Sequence, residues 1–263
     1  MALTPFVSFI GSGNLAWHLA PALDNAGFVV KEVHSRNPKH AAALTGRLYQ
    51  AEVKATLDFS TSPSDIFIVS TSDDAIESIA QEIILPDDAF LIHTSGSQPL
   101  SILQFAATSN TGVFYPLQTF SKTKKVDFKD TPIFCESNNA DTEQMLMLLA
   151  KAISNKVSKI TSEERKALHI AAVFASNFTN HMLTLSKKIL EQNSLSFELL
   201  KPLILETINK SLITDPESAQ TGPARRGDLE ILDKHIEFLK EDETLTEIYK
   251  LVSQDILDKY QSG

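Results

Sequence analysis

Through its first 160 residues the chain alternates short β-rich runs with helical stretches, and after Thr161 the β signal stops. This change of pattern limits the possible folds more than any other feature of the sequence. The runs PFVSFIG (5–11), FVVKEVHS (28–35), DIFIVSTS (65–72), AFLIHTS (89–95), TGVFYPL (111–117), TPIFCES (131–137) and NKVSKIT (155–161) read as strands. Helical candidates lie near 14–26, 38–46, 74–84, 99–107 and 140–152. Parallel strand pairs need a crossover, usually a helix, and the helices cover both faces of the sheet, so the strands become continuously apolar. The expected fold is an α/β doubly wound, mostly parallel sheet over 1–160, followed by an all-α half over 161–263. Thr161 with Glu164 reads as a capping box that opens a helix running to about Gln192. Helices near 196–213, 229–241 and 245–261 follow, with TDPESAQTGPARRGD as the turn before the third helix and Asp228 as its N-cap.

The first strand runs into Gly11-Ser12-Gly13-Asn14-Leu15-Ala16, a G-x-G-x-x-A pattern between a strand and a helix. Gly11 permits a tight turn, Gly13 lets backbone N–H groups approach a pyrophosphate, and Ala16 lets the helix pack close to the strand. The helix start adds free N–H groups and the positive end of its dipole. The second strand then ends His34-Ser35-Arg36-Asn37, with Lys39 and His40 next. An acidic residue there would hydrogen-bond a ribose 2′-OH, whereas Ser35 and Arg36 suit a 2′-phosphate. Glu32 lies too early, inside the strand. NADP is therefore expected over NAD.

In open parallel sheets, ligands bind beyond the carboxyl ends of the strands where strand order reverses. Three exits carry hydroxyl and amide groups: Ser70-Thr71-Ser72, Thr94-Ser95, and the Tyr115 to Thr119 stretch with Gln118. Neutral donors and acceptors of this kind suit a nicotinamide ribose and carboxamide, and Gln118 is a candidate substrate contact.

The stretch ALHIAAVFASNFTNHMLTLS, 167–186, contains no Lys, Arg, Asp or Glu in a chain that is 22% charged. At about 100° per residue, Ile170, Phe174, Phe178, Met182 and Leu185 share one face. His169, Ser176 and Asn180 fall opposite, with Asn177 beside them. A polar but uncharged stripe is expected to be enclosed, with its groups satisfied by a ligand, another subunit or the sheet domain. Hydride transfer to a carbonyl or imine needs a proton donor near the acceptor atom, and an imidazole titrates in the right range, so His169 is the candidate acid/base. Asn177 and Asn180 are placed to orient a substrate, Ser95 to assist the chemistry, and Ser176 to contact the substrate. Lys166, about 60° round the helix from His169, is the reserve donor, and His181, about 120° away, is structural. Arg225 and Arg226 form a candidate carboxylate anchor, with Arg226 as the substrate contact.

A formal net charge of −9 argues against nucleic-acid or anionic-membrane partners. The single cysteine, Cys135, cannot form an internal disulfide, which fits a cytoplasmic setting, and its apolar surroundings suit a buried hydrophobe. MALTPFVSFIGSG has no basic n-region and does not read as a signal peptide. The Asn and His residues of 167–186 oppose a membrane span, and no metal site is expected.

IGSGNLAWHLA, HTSGS, YPLQTFS, ALHIAAVFASNFTNH and TGPARRGD, taken together, resemble a bacterial family. That family joins a Rossmann-like N-terminal domain to a helical C-terminal domain of unassigned function and is often labelled NADP oxidoreductase. The N-terminal half also resembles pyrroline-5-carboxylate reductases, deazaflavin-dependent NADP reductases and 6-phosphogluconate-dehydrogenase-type enzymes. The resemblance implies a homodimer formed through the helical half. The usual Lys and Asn one turn apart of the last group is not matched, since Ile170 follows Lys166. The expected function is an NADP-dependent oxidoreductase acting on a small carbonyl, imine, or hydroxy or amino acid. The rival is a non-catalytic dinucleotide sensor.

Overall fold

In a computed structural model of the chain, the described residues are 5–261. Met1–Thr4, the start of the stretch read for a leader, lie outside them. Two compact units part between Asn177 and Phe178.

The first unit contains one eight-stranded sheet. Its elements in chain order are β1 (Phe6–Ile10), α1 (Asn14–Asn25), β2 (Val29–His34), α2 (Pro38–Thr45), β3 (Glu52–Lys54), β4 (Ile66–Val69), α3 (Ile76–Glu82), β5 (Phe90–His93), β6 (Asn110–Pro116), β7 (Ile133–Ser137), α4 (Ala140–Ile153), β8 (Val157–Lys159) and α5 (Ser162–Ala172). The spatial order is β3-β2-β1-β4-β5-β6-β7-β8. The chain winds outward from β1 to β3 and then crosses back to β4, so the strand order reverses between β1 and β4.

The burial pattern explains why this is a sandwiched parallel sheet. All four residues of β4 are inaccessible. Ile66 and Ile68 pack into one apolar layer with Val7, Phe9, Leu19 and Leu23, whereas Phe67 and Val69 pack into the other with Ile10, Phe59, Ile76 and Leu91. Each such side chain contributes on the order of 1.5–3 kcal/mol through burial. In α1 the buried apolar residues, Ala16, Leu19, Ala20 and Leu23, recur at helical spacing.

Several expectations are corrected. Strand β3 was not anticipated, because Glu52-Val53-Lys54 is short and mostly exposed. The helix expected over 99–107 is a single 3₁₀ turn, Leu100–Leu103. β7 runs antiparallel to β6, with Tyr115 opposite Phe134 and Pro116 opposite Ile133. The signal for this reversal was the lack of a helical pattern between the two strands, because only a parallel pair needs a crossover.

The capping box at Thr161 and Glu164 is present. After α5 the helix passes through a π-helical turn, Val173–Phe178, into α6 (Thr179–Gln192). Each i→i+5 turn takes in more residues than the 3.6 assumed in the sequence reading, so the side-chain stripe slips across it. Along the expected polar stripe, His169 and Ser176 are half-buried, while Asn177 and Asn180 are exposed.

The second unit continues with α7 (Lys201–Thr214), α8 (Pro216–Ala219), α9 (Pro223–Arg226), α10 (Leu229–Leu239) and α11 (Glu243–Gln261). Asp228 caps α10 by accepting the Ile231 N–H. Among the described residues, no helix is long and apolar enough to cross a membrane.

Candidate functional site

Four parallel strands end level with one another. Ile10 pairs with His34 on one side and Val69 on the other, and Val69 pairs with His93. The next residues, Gly11, Ser35, Ser70 and Thr94, therefore share one rim, at the point where strand order reverses. A cleft of about 920 Å³ opens there, near the upper end of the range for small-ligand sites.

The glycine loop forms its floor. Gly11 has φ +112°, and a Cβ on it would stand 2.1 Å from the Ser70 carbonyl oxygen, so only glycine lets β1 and β4 end this close together. Gly13 occupies the N-cap of α1; among the described residues no side chain caps this helix and its first turn carries no acid. The helix start thus has free N–H groups and an unopposed dipole, an environment suited to an anion. Ala16 is fully buried behind the loop, where it permits close packing rather than lining the cleft. Ser12 donates to Ser35 Oγ at 3.0 Å, which ties the loop to the end of β2. Arg36 and His40 lie on the same wall. Glu32 is occupied elsewhere: it accepts from Ser8 and Ser62 and pairs with Lys54 at 3.2 Å.

The opposite wall is formed by the exits of β4, β5 and β6. Ser70, Thr71, Ser72, Thr94, Ser95 and Gln118 all line the cleft. Ser95 Oγ accepts the N–H groups of Ser97 at 3.1 Å and Gln98 at 3.0 Å, while Ser97 donates its hydroxyl to Asp73. The Ser95 N–H donates to His93 Nδ1 at 3.1 Å. Burial, followed by the charge of Arg165, pushes His93 down to about 3, so it is a neutral structural ring. His18 Nε2 donates to the Ser121 carbonyl at 2.8 Å, anchoring the connection that carries Gln118, Phe120 and Lys122 along the cleft.

Sequence reasoning missed the group that fixes this wall. Arg165, on the first turns of α5, is inaccessible. It donates to the carbonyls of Ser95 at 2.9 Å and Gln98 at 2.7 Å, and to Glu136 at 2.9 Å and Ser162 at 3.2 Å. His169 follows one helical turn later and reaches the cleft, where its Nδ1 lies 3.0 Å from Tyr115 Oη. Their rings meet edge to face at 6.0 Å. A Cβ on Gly96 would fall 2.5 Å from His169 Nδ1 and 2.8 Å from the Tyr115 ring, so this glycine vacates the space the pair occupies. Burial raises the Tyr115 phenol above its ordinary range, with Arg165 opposing it.

The cleft thus brings together Gly11, Ser12, Gly13, Asn14, Leu15, Ser35, Arg36, Ser70, Thr71, Ser72, Thr94, Ser95, Gln118 and His169 from the residues expected at a site. Its lining does not include Ser176, Asn177 or Lys166, which belong to the same unit. Asn180 and Arg226 belong to the second unit, and both are exposed. The TGPARRGD segment folds there as α9 between Gly222 and Gly227, and Arg225 stacks over Tyr260 at 4.5 Å. Cys135 is buried, and its apolar surroundings push the thiol up to about 12. Among the described residues there is no cluster of ligands suited to a metal ion.

Residues 6–95 match the family model described as NADP oxidoreductase, coenzyme F420-dependent, and residues 131–256 match domain of unknown function DUF2520. A Bacteroides fragilis protein whose structure is described as that of a "putative NADP oxidoreductase" is 37% identical, with a TM-score of 0.88 over 97% of this chain and 98% of that one. A Thermotoga maritima protein is 23% identical, with a TM-score of 0.71 over 97% and 98% of the two chains. A reductive aminase from Aspergillus terreus, solved with NADPH and ethyl-5-oxohexanoate, is 14% identical, with a TM-score of 0.71 over 97% and 94%. The last two share the fold. No curated protein matches the sequence.

Proposed function

The chain belongs to the NADP oxidoreductase family represented by the Bacteroides fragilis protein, and from that premise we propose that it is an NADP-dependent enzyme acting on a small carbonyl, imine, or hydroxy or amino acid. One observation carries this reading: a single cleft is lined at once by an uncapped, glycine-opened helix start, by Ser35 and Arg36, and by His169. When bound, the nicotinamide dinucleotide supplies or accepts the hydride.

This chain's residues do the rest. Gly11 to Leu15 hold the pyrophosphate through backbone N–H groups, with Ala16 packing behind them. Ser35 and Arg36 take the 2′-phosphate. Ser70, Thr71, Ser72 and Thr94 hydrogen-bond the nicotinamide half, and Ser95 faces both the cofactor and the substrate. His169 gives or takes the proton, and Gln118 contacts the substrate. We propose no role for Ser176 or Asn177.

A homodimer is also part of the proposal. Helix α7 buries no side chain, and Leu203, Leu205, Leu212 and Ile213 are 62%, 65%, 80% and 83% exposed. Apolar surface of this extent on one helix calls for a cover, and a second copy of the chain supplies it. The single buried cysteine supports placement in the reducing cytoplasm.

Calorimetric titration with NADPH and NADH tests the cofactor assignment. Arg36→Ala is expected to weaken NADPH about 10- to 100-fold, or ~1.4–2.8 kcal/mol, and to leave NADH almost unchanged. NADPH oxidation over a panel of carbonyl and imine substrates tests the chemistry, with His169→Ala expected to lower turnover about 10²- to 10⁴-fold. Tight NADPH binding without turnover on the whole panel would overturn the enzyme reading in favour of a dinucleotide sensor.

A further inference from the structure

We infer that Tyr115 is a positioning residue that holds His169 with its ring proton on Nε2, so that the cleft meets its substrate with hydrogen-bond donors and selects a neutral carbonyl oxygen over a protonated iminium. The inference rests on the proposed role of His169 and deepens it.

The Tyr115–His169 pair is fixed from every side. Tyr115 lies near the end of β6, 8% exposed, held by its pairing with Phe134. His169 stands one turn after Arg165, whose guanidinium is locked onto the Ser95 and Gln98 carbonyls. Gly96 leaves no slack beneath the pair, since even a methyl group there would overlap both rings. The contact between Tyr115 Oη and His169 Nδ1 is therefore set by the fold and does not depend on a ligand.

The chemistry of the two groups then assigns the protons. A phenol has one O–H and a weakly accepting oxygen, whereas a neutral imidazole has one N–H and one basic lone pair. Burial keeps the phenol protonated. The favourable order is O–H donated to Nδ1, which leaves the ring proton on Nε2. Ser95 has the same polarity. Its oxygen already accepts two backbone N–H groups, so its hydroxyl proton is what remains to offer. Ser97 gives its own proton to Asp73, so within the protein the Ser95 hydroxyl donates to Ser97 Oγ over a long 3.4 Å, a weak contact that a substrate oxygen can replace. His169 and Ser95 both line the cleft, and a pair of donors there suits an oxygen lone pair. A protonated iminium brings an N–H of its own and sets donor against donor, with the desolvation cost of an unpaired polar group.

The test begins with the protein alone. Selective ¹⁵N labelling of histidine, with His169→Gln to assign its signals among the 7 histidines, reports which ring nitrogen carries the proton. The expected wild-type spectrum has a protonated Nε2 and a bare Nδ1. Tyr115→Phe should move His169 to the mixed tautomer population of an unrestrained ring, with NADPH affinity and thermal midpoint unchanged. Turnover of NADPH with carbonyl substrates should fall about tenfold in kcat with little change in KM. A wild-type spectrum with the proton on Nδ1, or a Tyr115→Phe spectrum identical to wild type, overturns the inference even if that variant is too unstable for kinetics. Equal turnover of cyclic iminium and carbonyl substrates by the wild type overturns the substrate preference. Undiminished activity of His169→Ala would instead overturn the proposed role of His169, an outcome the tautomer spectrum cannot mimic.

Discussion

The two glycines of the loop should fail in different ways when each is replaced by alanine. At Gly11 the new Cβ meets a backbone oxygen at 2.1 Å and a carbonyl carbon at 2.6 Å, at φ +112°. The backbone conformation alone costs an L-residue about 1–3 kcal/mol. The overlap is with main chain, so it is relieved only by parting the ends of β1 and β4. The sum should exceed about 3 kcal/mol, a large share of a typical domain's stability. At Gly13 the nearest atom to a new Cβ is the same Ser70 oxygen at 3.9 Å, an ordinary contact. Alanine is a poorer N-cap than glycine but lowers the entropy of the unfolded chain, and the two effects, each about 0.5–1 kcal/mol, nearly cancel. Gly13→Ala should therefore fold as wild type while placing a methyl group where the pyrophosphate must approach. Urea unfolding followed by circular dichroism and NADPH titration calorimetry separate the cases. Gly13→Ala is expected to keep its midpoint and lose about 10- to 100-fold in affinity, or ~1.4–2.8 kcal/mol. Gly11→Ala should lose both. If Gly13→Ala binds NADPH like wild type, the pyrophosphate does not lie on this loop and the cofactor placement is refuted.

Two further outcomes follow from buried groups. Arg165→Met removes a cation that serves four oxygen partners and leaves Glu136 uncompensated, so a loss of about 3–5 kcal/mol in chemical denaturation is expected, and a loss under about 1 kcal/mol would show that the network is slack. His93 titrates at about 3 when folded, against an ordinary value near 6.5 when unfolded, so between these the unfolded state binds more protons. Its contribution is complete above about pH 6.5 and drains as pH falls toward about 3, on the order of 1.4 kcal/mol per unit. Thermal melts of wild type and His93→Gln from pH 4 to 7 should show a steeper acid loss in the wild type, and parallel curves would refute the assignment.

What could be read from the sequence was whatever neighbouring residues decide between themselves. The glycine loop, the Ser35-Arg36 step and the hydroxyl-rich exits each follow from turn chemistry within a few positions of a strand end. The capping box at Thr161 and the cap at Asp228 are equally local. Contacts across long sequence separations could not be read in this way. Arg165 meets Glu136 29 positions away and the carbonyls of Ser95 and Gln98 70 and 67 positions away, and nothing beside Arg165 in the sequence marks it as buried. Tyr115 and His169 are 54 positions apart, and although Tyr115 stands at a strand exit expected to face the ligand, nothing local pairs it with His169. The side-chain pattern of β7 is the same in either sense, so its direction was legible only in the helix-free connection from β6. The stripe through Ser176 and Asn177 was drawn with a 3.6-residue turn that the π-helical segment does not keep.

Arg165 grips the wall of the cleft through the carbonyl oxygens of Ser95 and Gln98, and carbonyl oxygens are common to every amino acid. An exchange at Ser95, which lines the cleft, would change the chemistry presented to a ligand while leaving both carbonyl anchor points in place. Position and selectivity are thereby uncoupled along this short segment. A lineage could retune what the cleft accepts, one substitution at a time, without rebuilding the frame that holds it.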